Sequence, residues 1–117
     1  MKAAALQIEH QQPQPGVAVI ALTGKVMLGA NTGAIDELIT SLIAQGVRKI
    51  VIDLAGVTHI DSTGIGVLIA SLGKVTEAGG AMAMAGASGV VREGFRVTRL
   101  DRVFRFYADR AAALEAI

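Results

Sequence analysis

Residues 48–66 read RKIVIDLAGVTHIDSTGIG, and this stretch decides the fold. Its first part, 48–54, is β-branched and nearly continuous in apolar residues, which is typical of a central strand covered on both faces. We predict a short loop and then a helix that begins after Asp61, because Asp, Ser and Thr side chains accept hydrogen bonds from the free N–H groups of a first helical turn. Gly64 and Gly66 each cost about 1 kcal/mol relative to alanine inside a helix. We therefore expect something to come close to this backbone.

On the N-terminal side of this stretch, the pattern predicts two strands and one amphipathic helix. A short edge strand is expected around Leu6 and Ile8, followed by a turn over 11–16 and a buried strand over 17–22 that ends at 23–25. The helix is expected to be capped by Asn31 or Thr32 and to end at Gly46. Its buried face has the spacing i, i+3, i+4, i+7, i+8: Ile35, Leu38, Ile39, Leu42 and Ile43.

On the C-terminal side, strands and helices continue to alternate. The helix after Asp61 should end at 79–80, and a buried strand should follow over 81–85. We expect Ser88 to cap a third helix and Asp109 to cap a last one, with a short strand over 103–106 between them. The third helix should bury one side, formed by Val91, Phe95 and Thr98. This alternation predicts an α/β sheet with short connections.

The composition points to a single domain over 1–117 that is soluble and cytoplasmic. Hydrophobic residues make up 52% and charged residues 18% of the 117, which excludes disorder. A net charge of +1 gives no field that would attract nucleic acid. The absence of cysteine excludes thiolate metal sites. The start at Met1–Ala3 leads into polar residues, unlike a signal segment, and the longest apolar run is too short for membrane insertion.

The junction 61–66 has two interpretations. In the first, it is only a capped helix after a buried strand, with glycines for tight packing. In the second, the Ser62 hydroxyl accepts a phosphate, which the free N–H groups and positive dipole of a helix start tolerate well. A phosphate would add about −1.5 to −2 charges beside Asp61 at neutral pH. An interface built around the neutral hydroxyl would then lose affinity.

Enzyme motifs are incomplete throughout the chain. A hydrolase elbow needs glycine two residues before its serine, and position 60 is Ile. His59 is too close in sequence to Ser62 for a familiar triad, and a surface or satisfied loop histidine is the simpler interpretation. Gly64 and Gly66 begin a dinucleotide-binding fingerprint that Ile69 leaves unfinished. We therefore expect no enzyme activity, no cofactor and no metal site.

A basic stripe follows one face of the predicted third helix. Arg92, Arg96 and Arg99 have the spacing i, i+4, i+7, and Arg102, Arg105 and Arg110 follow. A solvated helix face is the simpler interpretation. The alternative is a docking surface for an acidic partner or for phosphate.

The sequence resembles a STAS domain, specifically a bacterial anti-sigma factor antagonist. The resemblance rests on IVIDL at 50–54, IDSTGIGVL at 60–68 and LDRVF at 100–104, with their spacing. It implies one small mixed sheet with about four helices packed mainly on one side. Two departures stand out: Met27 lies where members often have an acid, and Arg99 lies where many have glycine. If an acid at the first position contacts the partner, the kinase of this protein should differ from the usual one.

The resemblance implies a partner switch. The unmodified protein would bind an anti-sigma factor that is also a serine kinase, which frees the sigma factor, and phosphorylation at Ser62 would end that binding. A serine phosphatase would reset the switch, and the protein would catalyse nothing itself. The residues implied for partner binding are those of the junction: Asp61, Ser62, Thr63, Gly64, Ile65 and Gly66.

Two alternatives remain open at this point. STAS proteins also form scaffold subunits of stress-signalling assemblies, which would require self-association. Others accompany nucleotide or lipid transport systems, and the helix start at Gly64 and Gly66 could hold a nucleotide phosphate.

Overall fold

The structure is a computed structural model that describes residues 6–117. The first five residues, including the Met1–Ala3 start that argued against a signal segment, lie outside the described range. The described residues form five strands and four helices. The strands are β1 (Gln7–Gln14), β2 (Val17–Val26), β3 (Lys49–Ile60), β4 (Ala81–Ala85) and β5 (Phe106–Tyr107). The helices are α1 (Gly33–Ala44), α2 (Ser62–Glu77), α3 (Gly89–Val97) and α4 (Arg110–Ala116).

The strands form one mixed sheet in the order β1-β2-β3-β4-β5. β1 is antiparallel to β2, and the other neighbours are parallel. Parallel neighbours require crossovers, and α1, α2 and α3 supply them. β3 lies at the centre of the sheet, as its continuous apolar run predicted.

The two faces of the sheet are covered unequally. Helices α1, α2 and α3 share one large core with the sheet, in which Ile20, Ile52 and Phe95 are fully buried. Among the four helices of residues 6–117, α4 alone packs on the other face, through Ala113 against Val19, Val51, Ala83 and Ala85. The expected α/β sheet with about four helices mainly on one side is therefore confirmed. Within residues 6–117, no helix is long and apolar enough to cross a membrane.

Several local predictions are confirmed. Strand β4 has the expected bounds, and α1 buries Ile35, Ile39 and Leu42. Ser88 and Asp109 cap α3 and α4 with their side chains, accepting hydrogen bonds from the N–H groups of Val91 and Ala112. At the first helix, Thr32 occupies the cap position, but its side chain makes no capping hydrogen bond.

The predicted turn over 11–16 is wrong in its extent. β1 continues through Pro13 to Gln14, with a register shift between Gln11 and Gln14. A proline is tolerated there because β1 is an edge strand, whose outer side needs no ladder hydrogen bonds. The chain reverses only at Pro15 and Gly16, and Gly16 has a φ of 78°.

The predicted ends of β2 and β3 are also wrong. β2 continues to Val26, and β3 continues to Ile60 in place of the expected loop. The register shifts between Gly24 and Lys25, and Gly24 has a φ of 105°, so a bulge absorbs the turn residues without ending the ladder. Apolar Val57 remains buried in the extension.

Two predictions near the C-terminus need correction. The strand expected over 103–106 is the two-residue β5, displaced to Phe106–Tyr107, because residues 101–104 form turns and a bend after α3. Thr98 does not share the buried face of Val91 and Phe95. It ends α3 as an exposed residue whose hydroxyl donates to the carbonyl of Gly94, 2.9 Å away.

Candidate functional site

The junction lies where the long β2–β3 pair ends and α2 begins. Val26 and Ile60 form the last pair of that ladder. The chain then bends at Asp61, whose backbone is extended at φ −122° and ψ −175°. Ser62 is the first residue of α2. The extension of β2 and β3 beyond the expected strand ends therefore carries the junction past the end of β4, which pairs with β3 only as far as Asp53.

The Asp61 carboxylate joins two separate segments of backbone. Its Oδ1 accepts from the N–H of Gly64 at 2.9 Å, which caps α2, as the sequence predicted. Its Oδ2 accepts from the N–H of Leu28 at 3.0 Å, which holds the segment after β2 against the helix start. The Leu28 N–H, followed by that of Gly64, lowers the pKa of Asp61 because both stabilise the charged form. The carboxylate is therefore ionised at neutral pH.

Gly64 and Gly66 have different roles. A Cβ at Gly64 would overlap the carbonyl oxygen of Val26 and lie 2.8 Å from its Cγ1. The close approach expected from the sequence is therefore real at Gly64, but the approaching group belongs to the same chain. A Cβ at Gly66 would meet nothing within 4 Å in the described structure. Only Gly66 leaves backbone open towards the outside.

The six residues expected to bind a partner are brought together but differ in accessibility. Ser62 and Gly66 are exposed, whereas Asp61 and Thr63 are half-buried. Gly64 and Ile65 are buried, and Ile65 belongs to the core below the helix start. The outer surface of the junction is thus formed by Ser62, Gly66 and, one further turn along the same side, Ile69, which is 38% exposed.

Leu28 is a candidate site residue that the sequence pattern did not predict. Its side chain is 79% exposed, although its own N–H is held by Asp61 beside Ser62. The signal in the sequence is the apolar pair Met27–Leu28 just before Gly29. We call Leu28, Ser62, Gly66 and Ile69 the acceptor face. Ser62 supplies a hydroxyl, Leu28 and Ile69 supply exposed apolar side chains, and Gly66 leaves its backbone uncovered.

Within residues 6–117, no hydrogen bond joins the His59 ring to the Ser62 hydroxyl. His59 is exposed on β3, not in a loop, and its Nδ1 lies 2.9 Å from the Oγ1 of Thr58. Among residues 6–117, no three His, Cys, Asp or Glu side chains are grouped closely enough to hold a metal ion.

Comparison with known proteins identifies the family. The family model of the STAS domain matches residues 10–113, so the chain belongs to the STAS domain family. The anti-sigma-F factor antagonist RsfB of Mycobacterium tuberculosis is 29% identical over 102 residues, which cover 87% of this chain and 82% of that protein.

Solved structures share the fold. An anti-sigma factor antagonist from Mycobacterium paratuberculosis superposes with a TM-score of 0.82 at 24% identity, covering 97% of this chain and 94% of that one. The Bacillus cell fate determinant SpoIIAA in its phosphorylated form gives 0.70 at 21% identity, covering 97% of this chain and all of the other. The resemblance drawn from the sequence to the STAS family is confirmed.

Proposed function

We propose that this protein is an anti-sigma factor antagonist whose binding is switched off by phosphorylation of Ser62. The observation that carries the proposal is the exposed hydroxyl at the first position of α2, beside a carboxylate held by two backbone N–H groups. The similarity to RsfB over most of the chain supports the general role. The solved phosphorylated form of SpoIIAA, a protein of the same fold, supports the switch.

The acceptor face suits a protein partner in the unmodified state. Ser62 presents a neutral hydroxyl, and Gly66 allows close approach of a partner because no side chain covers its backbone. Leu28 offers an apolar anchor, whose burial against a partner would contribute about 1.5–3 kcal/mol. Asp61, Gly64 and Ile65 would contribute by holding this surface in place.

Phosphorylation would oppose binding through charge. Because Asp61 remains ionised, a phosphate on Ser62 would form a concentrated negative surface with it. Binding to a partner surface that fits the neutral hydroxyl would then require desolvation of the phosphate and would bring repulsion between like charges. A loss of about 2–3 kcal/mol would weaken binding by about 30- to 150-fold. The helix start itself tolerates the phosphate, since its dipole favours negative charge.

In the proposed cycle, the unmodified protein binds an anti-sigma factor that is also a serine kinase, and the sigma factor is released. The kinase transfers the γ-phosphoryl group of ATP to the Ser62 oxygen, the hydroxyl proton leaves, and ADP is formed. The modified protein dissociates, and a serine phosphatase restores the hydroxyl by hydrolysis. The protein acts as substrate and regulator without catalysis of its own. We propose the cytoplasm as the compartment, since ATP and sigma factors act there.

Phosphorylation by a purified anti-sigma factor kinase tests the proposal. With ATP, we expect one phosphate per protein, located on Ser62 by mass spectrometry and abolished by Ser62→Ala. Ser41→Ala is the matched control, because it removes an exposed serine hydroxyl on another helix and should leave labelling intact. Ser62→Asp should weaken binding to the kinase, whereas Ser62→Ala should bind normally. A kinase that binds the protein without labelling it, or that labels another residue, would contradict the proposal.

A further inference from the structure

Five exposed arginines are concentrated in one short segment outside the acceptor face. Residues 92–105 contain these five and only two acids, so the segment carries a net charge of +3. Because the whole chain carries +1, the remainder carries −2. All five side chains are exposed, and we call them the arginine surface: Arg92, Arg96, Arg99, Arg102 and Arg105.

One helix arginine lies against an aromatic ring. The Arg92 guanidinium lies 4.2 Å from the centroid of the Phe106 ring, and Arg105 immediately precedes that ring in the chain. Arg96 is already paired with Glu93, its Nε donating to Oε1 at 2.8 Å. By contrast, no ion pair or side-chain hydrogen bond within residues 6–117 holds Arg99, Arg102 or Arg105. Three guanidinium groups are therefore available for an external partner.

Arg99 occupies a backbone position that favours glycine. Its N–H donates to the carbonyl of Arg96 at 3.0 Å, and the N–H of Leu100 donates to that of Phe95 at 2.8 Å. This pair of hydrogen bonds ends α3 with Arg99 in the left-handed conformation at φ 62°. A side chain at that φ costs energy that glycine avoids. No ion pair or side-chain hydrogen bond within residues 6–117 offsets this cost, so glycine would be the more stable residue at position 99.

The chemistry of the surface favours a protein partner with carboxylates. After Lys74 every basic residue is arginine, and the planar guanidinium binds carboxylates in a bidentate manner better than lysine does. The same segment exposes Val97 at 63% and Val103 at 48%. These apolar side chains suit a protein surface, whereas a nucleic acid backbone offers them no matching contact.

We propose that the arginine surface docks an acidic surface of the anti-sigma factor and accelerates its association. This inference rests on the proposed function and adds a second contact region to it. Exposed charges mainly affect association rates, because their attraction guides the encounter before the acceptor face engages. The attraction should weaken with salt, as expected for charges separated by about a Debye length or more.

Association kinetics with the anti-sigma factor kinase that labels Ser62 test the inference. The variants are Arg99→Gly alone and Arg99→Gly combined with Arg102→Gln and Arg105→Gln. We expect the triple variant to associate about ten-fold more slowly at low salt, with the difference vanishing at about 0.5 M NaCl. Arg99→Gly alone should raise the melting temperature yet slow association. Lys49→Gln is the control, since it removes an exposed charge elsewhere and should change neither rate nor salt dependence.

The possible outcomes distinguish the docking inference from the proposed function. Unchanged association of the triple variant, while the wild type binds normally, overturns the docking inference and leaves the Ser62 switch intact. Arginine-dependent binding of a DNA duplex or of phosphatidylglycerol vesicles, with no change towards the kinase, overturns it in favour of another partner class. A wild-type protein that binds no anti-sigma factor overturns the proposed function and, with it, this inference.

Discussion

At the scale of single residues, Asp61 connects the chemistry of the site to its structure. Its two oxygens accept from N–H groups 33 residues and 3 residues away along the chain. One carboxylate therefore caps α2 and also positions the exposed Leu28. Serine and threonine could cap the helix equally well. A serine or threonine hydroxyl, however, has a single oxygen and no charge. It could not replace the two charged oxygens that accept from Leu28 and Gly64.

Replacing Asp61 by alanine should lower the free energy of unfolding by about 1–2 kcal/mol, because the cap and the Leu28 contact are lost together. Urea denaturation at neutral pH measures this difference. Thr32→Ala is the matched control. Thr32 holds the same position at the start of α1 without a side-chain hydrogen bond, and its loss should cost less than about 0.5 kcal/mol. Equal effects of the two substitutions would contradict the assigned role.

The stability difference between the wild type and Asp61→Ala should depend on pH, and its direction follows from the pKa of Asp61. The folded state lowers the pKa of Asp61, so the folded protein binds this proton less readily than the unfolded chain does. The stabilisation is therefore complete above the unfolded pKa and is lost as the pH falls through the lower, folded value. The difference in the free energy of unfolding between wild type and Asp61→Ala should become smaller below about pH 4. A difference that widens on acidification would exclude this account.

At the scale of elements, the site depends on the close packing of α2 against the end of β2. The long β2–β3 ladder carries the Val26 carbonyl to the first turn of α2, where only a glycine can face it. The two glycines near the start of α2 therefore serve different purposes. Gly64 permits internal packing, and Gly66 leaves the outer side of the helix bare.

Alanine at these two glycines should have opposite effects. Gly64→Ala should destabilise the protein by about 2–3 kcal/mol, because the added methyl group forces α2 away from Val26. Gly66→Ala should stabilise it by up to about 1 kcal/mol, because alanine favours the helix and meets no neighbour. Thermal or urea unfolding of both variants checks the signs. Destabilisation by Gly66→Ala would contradict the open space beside Gly66. Tolerance of Gly64→Ala would contradict the close packing of Gly64 against Val26.

At the scale of the whole molecule, the two faces of the sheet are stabilised differently. The helices α1, α2 and α3 bury a broad, mainly aliphatic core, whereas α4 packs on a smaller cluster centred on valine and alanine on the other face. An ion pair reinforces this thinner layer. Asp53, buried on β3, accepts from Arg110 Nε at 2.8 Å and from the N–H of Ala55 at 2.9 Å.

Arg110→Ala should destabilise the protein by about 1–3 kcal/mol, since it leaves the buried Asp53 carboxylate without its cation. This loss of stability is smaller than that for a fully buried ion pair, because the Arg110 side chain is 39% exposed. Arg96→Ala is the control. It removes an arginine from an exposed pair on α3, which should contribute less than about 1 kcal/mol. Urea denaturation compares the two, and a larger effect at Arg96 would contradict the prediction.

Much of the fold could be predicted because the relevant forces are local. The spacing of Ile35, Ile39 and Leu42 specifies a helix face, and side chains such as Ser88 and Asp109 specify where helices begin. The errors arose where a neighbouring strand overrides a local signal. Gly24 has a turn composition, yet it continues β2 as a bulge because β3 offers partners up to Ile60. Pro13 remains in β1 for a different reason, because the outer side of this edge strand needs no N–H donor.

The alternating α/β elements, the STAS family and the junction from Asp61 to Gly66 could all be predicted without coordinates, because periodicity, capping and motif lie in contiguous residues. Tertiary structure alone decided which residues form the acceptor face. The Leu28 N–H reaches Asp61, and the Val26 carbonyl meets Gly64, only because β2 and β3 end side by side. Contacts between segments more than thirty residues apart depend on ladder register and bulges, which local sequence preferences do not encode.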